Sequence, residues 1–227
     1  MKKLRRFLAT LVVATLFASA FTAYAAEDDT VGIQLDDNTG INPADFEEAN
    51  EELMQNGHMA RMARASKTLS LTHYYQDGNQ SWSNDVMQTC NKTIASAGCC
   101  LTSFAMIEQY FGGGDDPGAV NTKMGKSACP FVYATAASKY NLTISNSKHE
   151  EVSDSDAIDF IVGAIDAGNP VLVGMKKDGS TSTHFVAAYG YDGSTIYIHD
   201  PASGRNYTTL DQYLKNYCVN RLYVYTN

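Results

Sequence analysis

The spacing of apolar residues changes about halfway along the chain. In the first half, apolar side chains recur at helical intervals, and Cys100, Phe104, Ile107 and Phe111 form one such stripe. In the second half, short apolar runs of strand length follow one another between turn residues. A helical half followed by an antiparallel sheet predicts an α+β domain with two lobes.

The predicted elements are short and end at glycine, proline or capping residues. Helices are expected over residues 99–111, 117–124, 131–140, 157–167 and 210–216. Strands are expected over residues 70–75, 170–176, 183–189, 195–200 and 220–225.

Two adjacent cysteines stand where a tight turn at Gly98 runs into the first predicted helix. At the first helical position, unpaired backbone N–H groups and the helix dipole stabilise a negative charge on the Cys99 sulfur. Cys99 lies about 100° around the helix from the apolar stripe. It is therefore predicted to face a cleft, whereas Cys100 faces the core. The alternative is that both thiols are small core residues.

A predicted hairpin in the second half carries a histidine and an aspartate on its two strands. A two-residue loop within the sequence Gly190-Tyr191-Asp192-Gly193 would point His184 and Asp200 to opposite faces. A three-residue loop with Gly193 in the left-handed region would set them directly opposite each other, on one face. We predict the three-residue loop, which turns His199 away from His184.

Together these residues form a Cys/His/Asp arrangement for nucleophilic catalysis. Cys99 is the predicted nucleophile, His184 the general base and Asp200 the carboxylate that orients the imidazole. The tetrahedral intermediate needs hydrogen-bond donors for its oxyanion. The backbone N–H of Cys99 and the side-chain amide of Gln76 are the predicted donors.

The first 25 residues have the pattern of a bacterial secretory signal peptide. A basic start precedes an apolar run over residues 7–21 and the cleavage motif Ala23-Tyr24-Ala25. The apolar run is too short for a membrane span. We therefore expect cleavage before Ala26 and a secreted, extracellular or cell-surface protein that leaves the membrane.

Residues 26–66 form a separate acidic region, with ten acidic residues against two arginines. Phe46 is its only aromatic residue, so it cannot build a core of its own. It is predicted to be either a pro-segment that shields the site or assists folding, or a disordered spacer. Residues 67–227 form the predicted catalytic domain.

The formal net charge of −8 argues against nucleic-acid binding, which requires a basic surface. Zinc binding by Cys99, His184, His199 and Asp200 is conceivable, but the sequence lacks the spacing of known zinc motifs. We expect no metal and no cofactor. The expected partner is a peptide or protein substrate, and the expected state is a monomer.

The chain has five cysteines, an odd number for an exported protein. Reserving Cys99 as the free thiol leaves Cys90, Cys100, Cys129 and Cys218, which can pair in three ways. A Cys100–Cys129 disulfide is favoured, because Cys100 points inward and Cys129 precedes a second apolar segment. Fully reduced cysteines are the alternative.

Several segments resemble the soluble branch of the bacteriocin-processing (double-glycine) peptidases, a papain-like family. The resemblance runs from about Leu71 to the C-terminus. It lies in these segments: Tyr75-Gln76-Asp77 with Trp82; Thr93 to Cys99; Thr102 to Met106; Pro170 to Gly174; Thr183 to Val186; and Asp200-Pro201.

The resemblance implies a papain-like two-lobed fold and thiol peptidase or amidase chemistry. It assigns Cys99 as nucleophile, His184 as base, Asp200 as orienting carboxylate and Gln76 as oxyanion donor. Cys100 departs from the family pattern, in which a small or non-thiol residue follows the nucleophile. Two other functions stay open, a peptidoglycan amidase or endopeptidase of the cell wall and a catalytically inactive secreted binding module.

Overall fold

A computed structural model describes residues 66–227 of the chain. The predicted signal peptide over residues 1–25 lies outside the described residues, as does the acidic segment 26–66 except for its last residue. Within the described part, no helix combines the length and the apolar character needed to cross a membrane.

The described residues contain six α-helices and eight strands. The helices are α1 (Ile94–Ala97), α2 (Cys99–Tyr110), α3 (Pro117–Met124), α4 (Tyr133–Lys139), α5 (Asp154–Asp166) and α6 (Asp211–Leu214), with a short 3-10 turn at Gly125–Ser127. The strands are β1 (Lys67–Thr68), β2 (Val86–Met87), β3 (Lys92–Thr93), β4 (Thr143–Lys148), β5 (Val171–Lys177), β6 (Thr183–Asp192), β7 (Thr195–His199) and β8 (Tyr217–Thr226).

An antiparallel sheet organises the described chain. Its strands run in the order β1-β6-β5-β8-β4, and β7 also pairs with β6. Strands β2 and β3 form a separate two-stranded hairpin. The predicted combination of helices and an antiparallel sheet is therefore confirmed.

Both faces of the central sheet are buried, as the side-chain alternation of β5 shows. Leu172 packs into one apolar cluster with Phe104 of helix α2. Val171 and Val173 pack into a second cluster with Ile161 of helix α5. Successive side chains of a strand point to opposite faces, so helices α2 and α5 cover the two sides. This sheet fixes the position of α2, which begins at Cys99.

The segment before the helices differs from the prediction. Residues 70–75 form no strand. The strand of this N-terminal segment is β1, in which Lys67 and Thr68 pair with β6. The backbone carbonyl of Leu71 instead accepts a hydrogen bond from His199 Nε2 at 3.0 Å, and His73 Nε2 donates to the carbonyl of Asp200 at 2.7 Å. Side chains, rather than a backbone ladder, therefore hold this segment beside the end of β7.

Strand β4, at the edge of the sheet, was not predicted. Its sequence, Thr143–Lys148, is mostly polar and carries a single aliphatic residue, so it gives no apolar alternation. The strand forms because its backbone pairs with β8, with a register shift near Ile144. Long-range backbone pairing of this kind leaves no mark on a local pattern.

The predicted Cys100–Cys129 disulfide is wrong. The structure pairs Cys90 with Cys129, with their Cα atoms 5.7 Å apart, and leaves Cys100 free. The inward direction of Cys100 was correct, but it places the thiol in the core beneath helix α2. Cys129 instead adjoins the turn between β2 and β3, where Thr89 also bonds the carbonyl of Lys126 at 2.8 Å.

Candidate active site

Cys99 is the first residue of helix α2 and follows Gly98, which caps the preceding helix α1. Gly98 donates its N–H to the carbonyl of Ile94 at 2.7 Å. A Cβ atom on Gly98 would lie 2.6 Å from that same oxygen, so only glycine fits this close approach. The first N–H groups of a helix have no partner within it, and Cys99 therefore lies where free backbone donors converge.

The two neighbouring thiols occupy different environments. Cys99 is partly exposed and lines a cleft. Cys100 is buried, and its side chain is within hydrogen-bonding reach of the Tyr133 hydroxyl. Burial and the nearby Cys99 sulfur raise the pKa of the Cys100 thiol well above its usual range. The thiolate is the reactive form, so Cys100 is held in its unreactive state.

His184 and Asp200 form a buried hydrogen-bonded pair. The ring atom Nε2 of His184 lies 2.8 Å from Oδ1 of Asp200, and the two residues are 8% and 2% exposed. A carboxylate can only accept, so Nε2 is the donor. This leaves Nδ1 of His184 available to the sulfur of Cys99, which lines the same cleft. The structure therefore brings Cys99, His184 and Asp200 together in that order.

The hairpin reaches this arrangement by a route that was not predicted. Asp192 pairs with Thr195, so the loop has two residues and the three-residue loop is wrong. A register shift between Ala188 and Gly190 inserts one extra residue into β6. Such a bulge reverses the facing of every residue beyond it. The two-residue loop by itself would put Asp200 and His184 on opposite faces, and the bulge reverses this. Asp200 therefore lies on the face of His184, as its diagonal rather than its direct cross-strand neighbour.

The charges of the pair stabilise each other. Burial lowers the pKa of His184, but hydrogen bonds to Asp200 and Cys99, with their negative charges, raise it to about 9. Burial raises the pKa of Asp200, but the His184 ring and the Tyr213 hydroxyl outweigh burial and hold it below its usual value. At neutral pH the site therefore favours an imidazolium between a carboxylate and a sulfur.

Gln76 reaches the same cleft from the segment that runs beside β7. Its backbone N–H donates to the carbonyl of Pro201 at 2.8 Å, which ties it to the residue after Asp200. Its side chain is 7% exposed, and Nε2 donates to the carbonyl of Ala95 at 2.8 Å. The same nitrogen also donates to the carbonyl of Ile94 at 3.4 Å. An amide nitrogen has two hydrogens, so both are engaged with helix α1, and donation to an oxyanion requires the side chain to turn into the cleft.

Sequence reasoning missed three groups that hold Asp200. The backbone N–H of Ala202 donates to Oδ1 at 2.9 Å, and the hydroxyl of Tyr213 donates to Oδ2. Arg205 Nη1 in turn donates to the Tyr213 hydroxyl at 3.3 Å. Tyr213 lies on a short helix that was predicted, yet an aromatic residue in a helix is ordinarily core, so its hydroxyl gave no signal. Folding alone brings Tyr213 to the carboxylate.

A cleft of about 740 Å³ opens over the Cys99 sulfur. Cys99, His184 and Gln76 all line it, whereas Asp200 lies behind the imidazole. The Cys90–Cys129 disulfide contributes one wall through Cys129. The opening gives a substrate access to the sulfur and the imidazole while the carboxylate stays shielded from water.

Among residues 66–227, no three His, Cys, Asp or Glu side chains converge in a way that could hold a metal ion. The predicted separation of His199 from His184 agrees with its contacts. The His199 ring stacks on His73 and Tyr189, with centroids 4.4 and 4.2 Å apart. Of the four residues considered as zinc ligands, His199 therefore lies apart from Cys99, His184 and Asp200.

Comparison with known proteins identifies the family. A model of the Peptidase_C39 like family matches residues 68–225, whereas no curated protein matches the chain. A crystal structure from Bacillus anthracis, described as a "putative C39-like peptidase", shares 12% identity and a TM-score of 0.45 over 72% of this chain and 99% of that one. The family model covers most of the chain and confirms the resemblance inferred from the sequence, and the chain therefore belongs to the peptidase C39-like family.

Proposed function

We propose that this protein is a cysteine peptidase with the two-lobed papain-like arrangement. Helix α2 carries the nucleophile, and the sheet carries its base. One observation supports this above all others, namely that His184, whose ring is hydrogen-bonded to Asp200, lines the same cleft as Cys99. A nucleophile, a base and an orienting group within mutual reach form the catalytic unit of acyl transfer.

In the first step, Cys99 acts as a thiolate beside the protonated His184 ring, and its sulfur attacks the carbonyl carbon of the scissile peptide bond. A carbon–sulfur bond forms, and the carbonyl oxygen becomes an oxyanion. The backbone N–H of Cys99 and the amide of Gln76 stabilise that charge in our mechanism. Asp200 keeps the imidazole in the tautomer that presents Nδ1 to the sulfur.

In the second step, the carbon–nitrogen bond breaks and the leaving amine takes the proton from His184. The acyl group remains on Cys99 as a thioester. A water molecule then loses a proton to His184 and attacks the thioester carbon. The carbon–sulfur bond breaks and the sulfur leaves as a thiolate beside the protonated His184 ring, which restores the starting state, and the carboxylic acid product leaves.

We also propose that the protein is exported and acts as a monomer on peptide or protein substrates outside the cell. The predicted signal peptide supports export. The Cys90–Cys129 disulfide supports it further, because structural disulfides persist mainly in oxidising compartments. For the acidic segment 26–66 we keep both alternatives, a pro-segment that is removed from the mature enzyme and a disordered spacer.

The test is selective alkylation of the free thiols, followed by peptide cleavage. Iodoacetamide at neutral pH should modify Cys99 first, and Cys99→Ala should abolish turnover of a quenched fluorescent peptide library. Cys218 is a partly exposed free thiol. Cys218→Ser is therefore the matched control and should retain wild-type turnover.

Two results would contradict the proposal. If turnover persists in Cys99→Ala, Cys99 is not the nucleophile. If Cys99 resists alkylation in the folded protein and no peptide is cleaved, the chain is a non-catalytic binding module. Release of stem peptides from purified cell-wall sacculi, without cleavage of soluble peptides, would instead indicate a cell-wall amidase.

A further inference from the structure

Among the described residues, the charged side chains that line the cleft over Cys99 are basic. Lys92, Arg205 and Arg221 all line it, and no aspartate or glutamate of residues 66–227 does. The catalytic domain as a whole has more acidic than basic residues. The cleft is therefore more positive than the average composition of the domain would give. A charged cleft attracts ligands of the opposite sign.

Arg221 is the most deeply placed of the three cations. It lies on β8 opposite Gly174 of β5, beside the ring of Phe185. Its charge favours the ionised forms of Tyr133 and Cys100, which places the guanidinium close to the base of helix α2. Arg221 therefore presents a positive charge at the wall of the cleft that Tyr133 and Phe185 also line.

Gly174 makes the space in which Arg221 and Phe185 lie side by side. A Cβ atom at position 174 would lie 2.5 Å from Cε1 of Phe185 and 3.0 Å from Cβ of Arg221. The absence of a side chain there lets both residues reach the cleft wall. The position of the guanidinium is therefore set by the sheet rather than by a loop.

The guanidinium of Arg221 has no carboxylate partner within the described residues. The ion pairs among residues 66–227 are Lys123–Asp115, Lys176–Glu151 and His184–Asp200. With its amide suitably oriented, Asn220 accepts a hydrogen bond from Arg221 Nη1 at 3.2 Å. Arginine has five N–H donors in a fork that matches a carboxylate, so donors remain for a ligand.

Lys92 lies elsewhere in the cleft and is exposed. It belongs to β3, directly before helix α1, and also has no carboxylate partner among the described residues. An exposed lysine contributes less binding energy than a partly buried arginine. Arg205 is already engaged with Tyr213 and Tyr217 and supports the catalytic carboxylate.

Resting on the proposed peptidase function, we propose that the enzyme selects peptides with an Asp or Glu side chain close to the scissile bond. Arg221 binds that carboxylate, and Lys92 adds a weaker attraction. Bidentate pairing with a carboxylate needs a planar fork. The selected group is therefore a carboxylate bound at the cleft wall that carries Arg221, where the described residues place no acidic side chain to repel it.

The experiment compares matched peptides that differ only by Glu against Gln at each position around the cleaved bond. Wild-type kcat/KM should favour Glu at one position by about tenfold. Raising the ionic strength should reduce that preference, because salt screens a partly exposed charge pair. Arg221→Gln should abolish it, Arg221→Lys should keep part of it, and Lys92→Gln should weaken it slightly.

Lys139→Gln is the matched control, because Lys139 is an exposed cation on α4 that does not line the cleft. It should keep the full preference for Glu. Circular dichroism establishes whether each variant is folded. If Arg221→Gln does not fold, Arg221→Lys still provides the test. Equal cleavage of the Glu and Gln peptides would overturn the proposal while leaving the peptidase function intact.

A binding measurement separates the two proposals. Fluorescence anisotropy of the same peptides on the Cys99→Ala protein reports selection without turnover. Tighter binding of the Glu peptide that disappears in Cys99→Ala/Arg221→Gln supports the selection of acidic peptides even if no peptide is cleaved. Equal binding of both peptides, or no binding, overturns that selection whatever the fate of the catalytic proposal.

Discussion

The hydroxyl of Tyr213 donates to Oδ2 of Asp200, on the opposite side of the carboxylate from His184. Arg205 lies behind Tyr213, donates to its hydroxyl and polarises it. The carboxylate that orients the imidazole is thus itself oriented from behind. Tyr213 is buried and does not line the cleft, so it acts as a positioning residue.

Replacing Tyr213 by Phe should slow turnover without unfolding the protein. A hydrogen bond to a charged group is worth about 1.5–3 kcal/mol, so kcat/KM should fall by about one to two orders of magnitude. The control is Tyr217→Phe, whose hydroxyl bonds Arg205 but does not contact Asp200. Since Tyr213 helps to hold the Asp200 charge, its loss should also move the alkaline limb of the pH profile. An unchanged profile would reduce Tyr213 to a packing role.

The pH dependence of catalysis should reflect the imidazolium of His184. Its pKa of about 9 means that the proton needed by the leaving amine is lost as the pH rises through that value. We expect kcat/KM to fall on the alkaline side near pH 9. Asp200→Asn removes a negative charge from the ring's partner, so the alkaline limb should move to lower pH, whereas Asp192→Asn, at an exposed site, should not move it.

The free energy of unfolding should also depend on pH through His184, and it should decrease as the pH rises. The pKa of His184 is higher in the folded protein than its ordinary value of 6.5. Its contribution is therefore complete below about pH 6.5 and is lost as the pH rises towards 9. Thermal unfolding across that range should show the loss in the wild type and a flatter curve in Asp200→Asn. A wild-type stability that rises over this interval would contradict the assignment.

The disulfide between Cys90 and Cys129 closes a loop with a sequence separation of 39. Chain-entropy estimates for a loop of that length give about 4 kcal/mol of stabilisation. Cys90→Ser/Cys129→Ser should lower the denaturation midpoint accordingly, whereas Cys218→Ser should leave it nearly unchanged. Peptide mapping without reduction should recover the 90–129 link, and recovery of a 100–129 link would show this pairing to be wrong.

Gly98 should be intolerant of even a methyl group. A Cβ atom there would lie 2.6 Å from the carbonyl oxygen of Ile94 and 2.7 Å from its Cγ2. Gly98→Ala should cost about 1–3 kcal/mol and displace Cys99, which would slow its alkylation. Gly114→Ala is the control, since nothing lies within 4 Å of its Cβ position. Equal stability of the two variants would refute the close approach.

Local pattern was sufficient for much of this protein. The apolar stripe of helix α2 predicted both its boundaries within one residue and the opposite environments of Cys99 and Cys100. The strands that carry His184 and precede Asp200 were likewise predicted, because a run of apolar residues between turns is a local property. These features depend on periods of 3.6 and 2 residues, which any short stretch of sequence displays.

The tertiary structure decided what depends on pairing between distant segments. The bulge in β6 that returns Asp200 to the face of His184 exists only because β7 pairs beside it. The Cys90–Cys129 bond, the Tyr213 contact with Asp200 and the place of Arg221 in the cleft wall arise in the same way. By itself, the sequence determined which chemical groups were present and on which elements. Their geometry required long-range packing, because contacts between residues far apart in sequence leave no local signature.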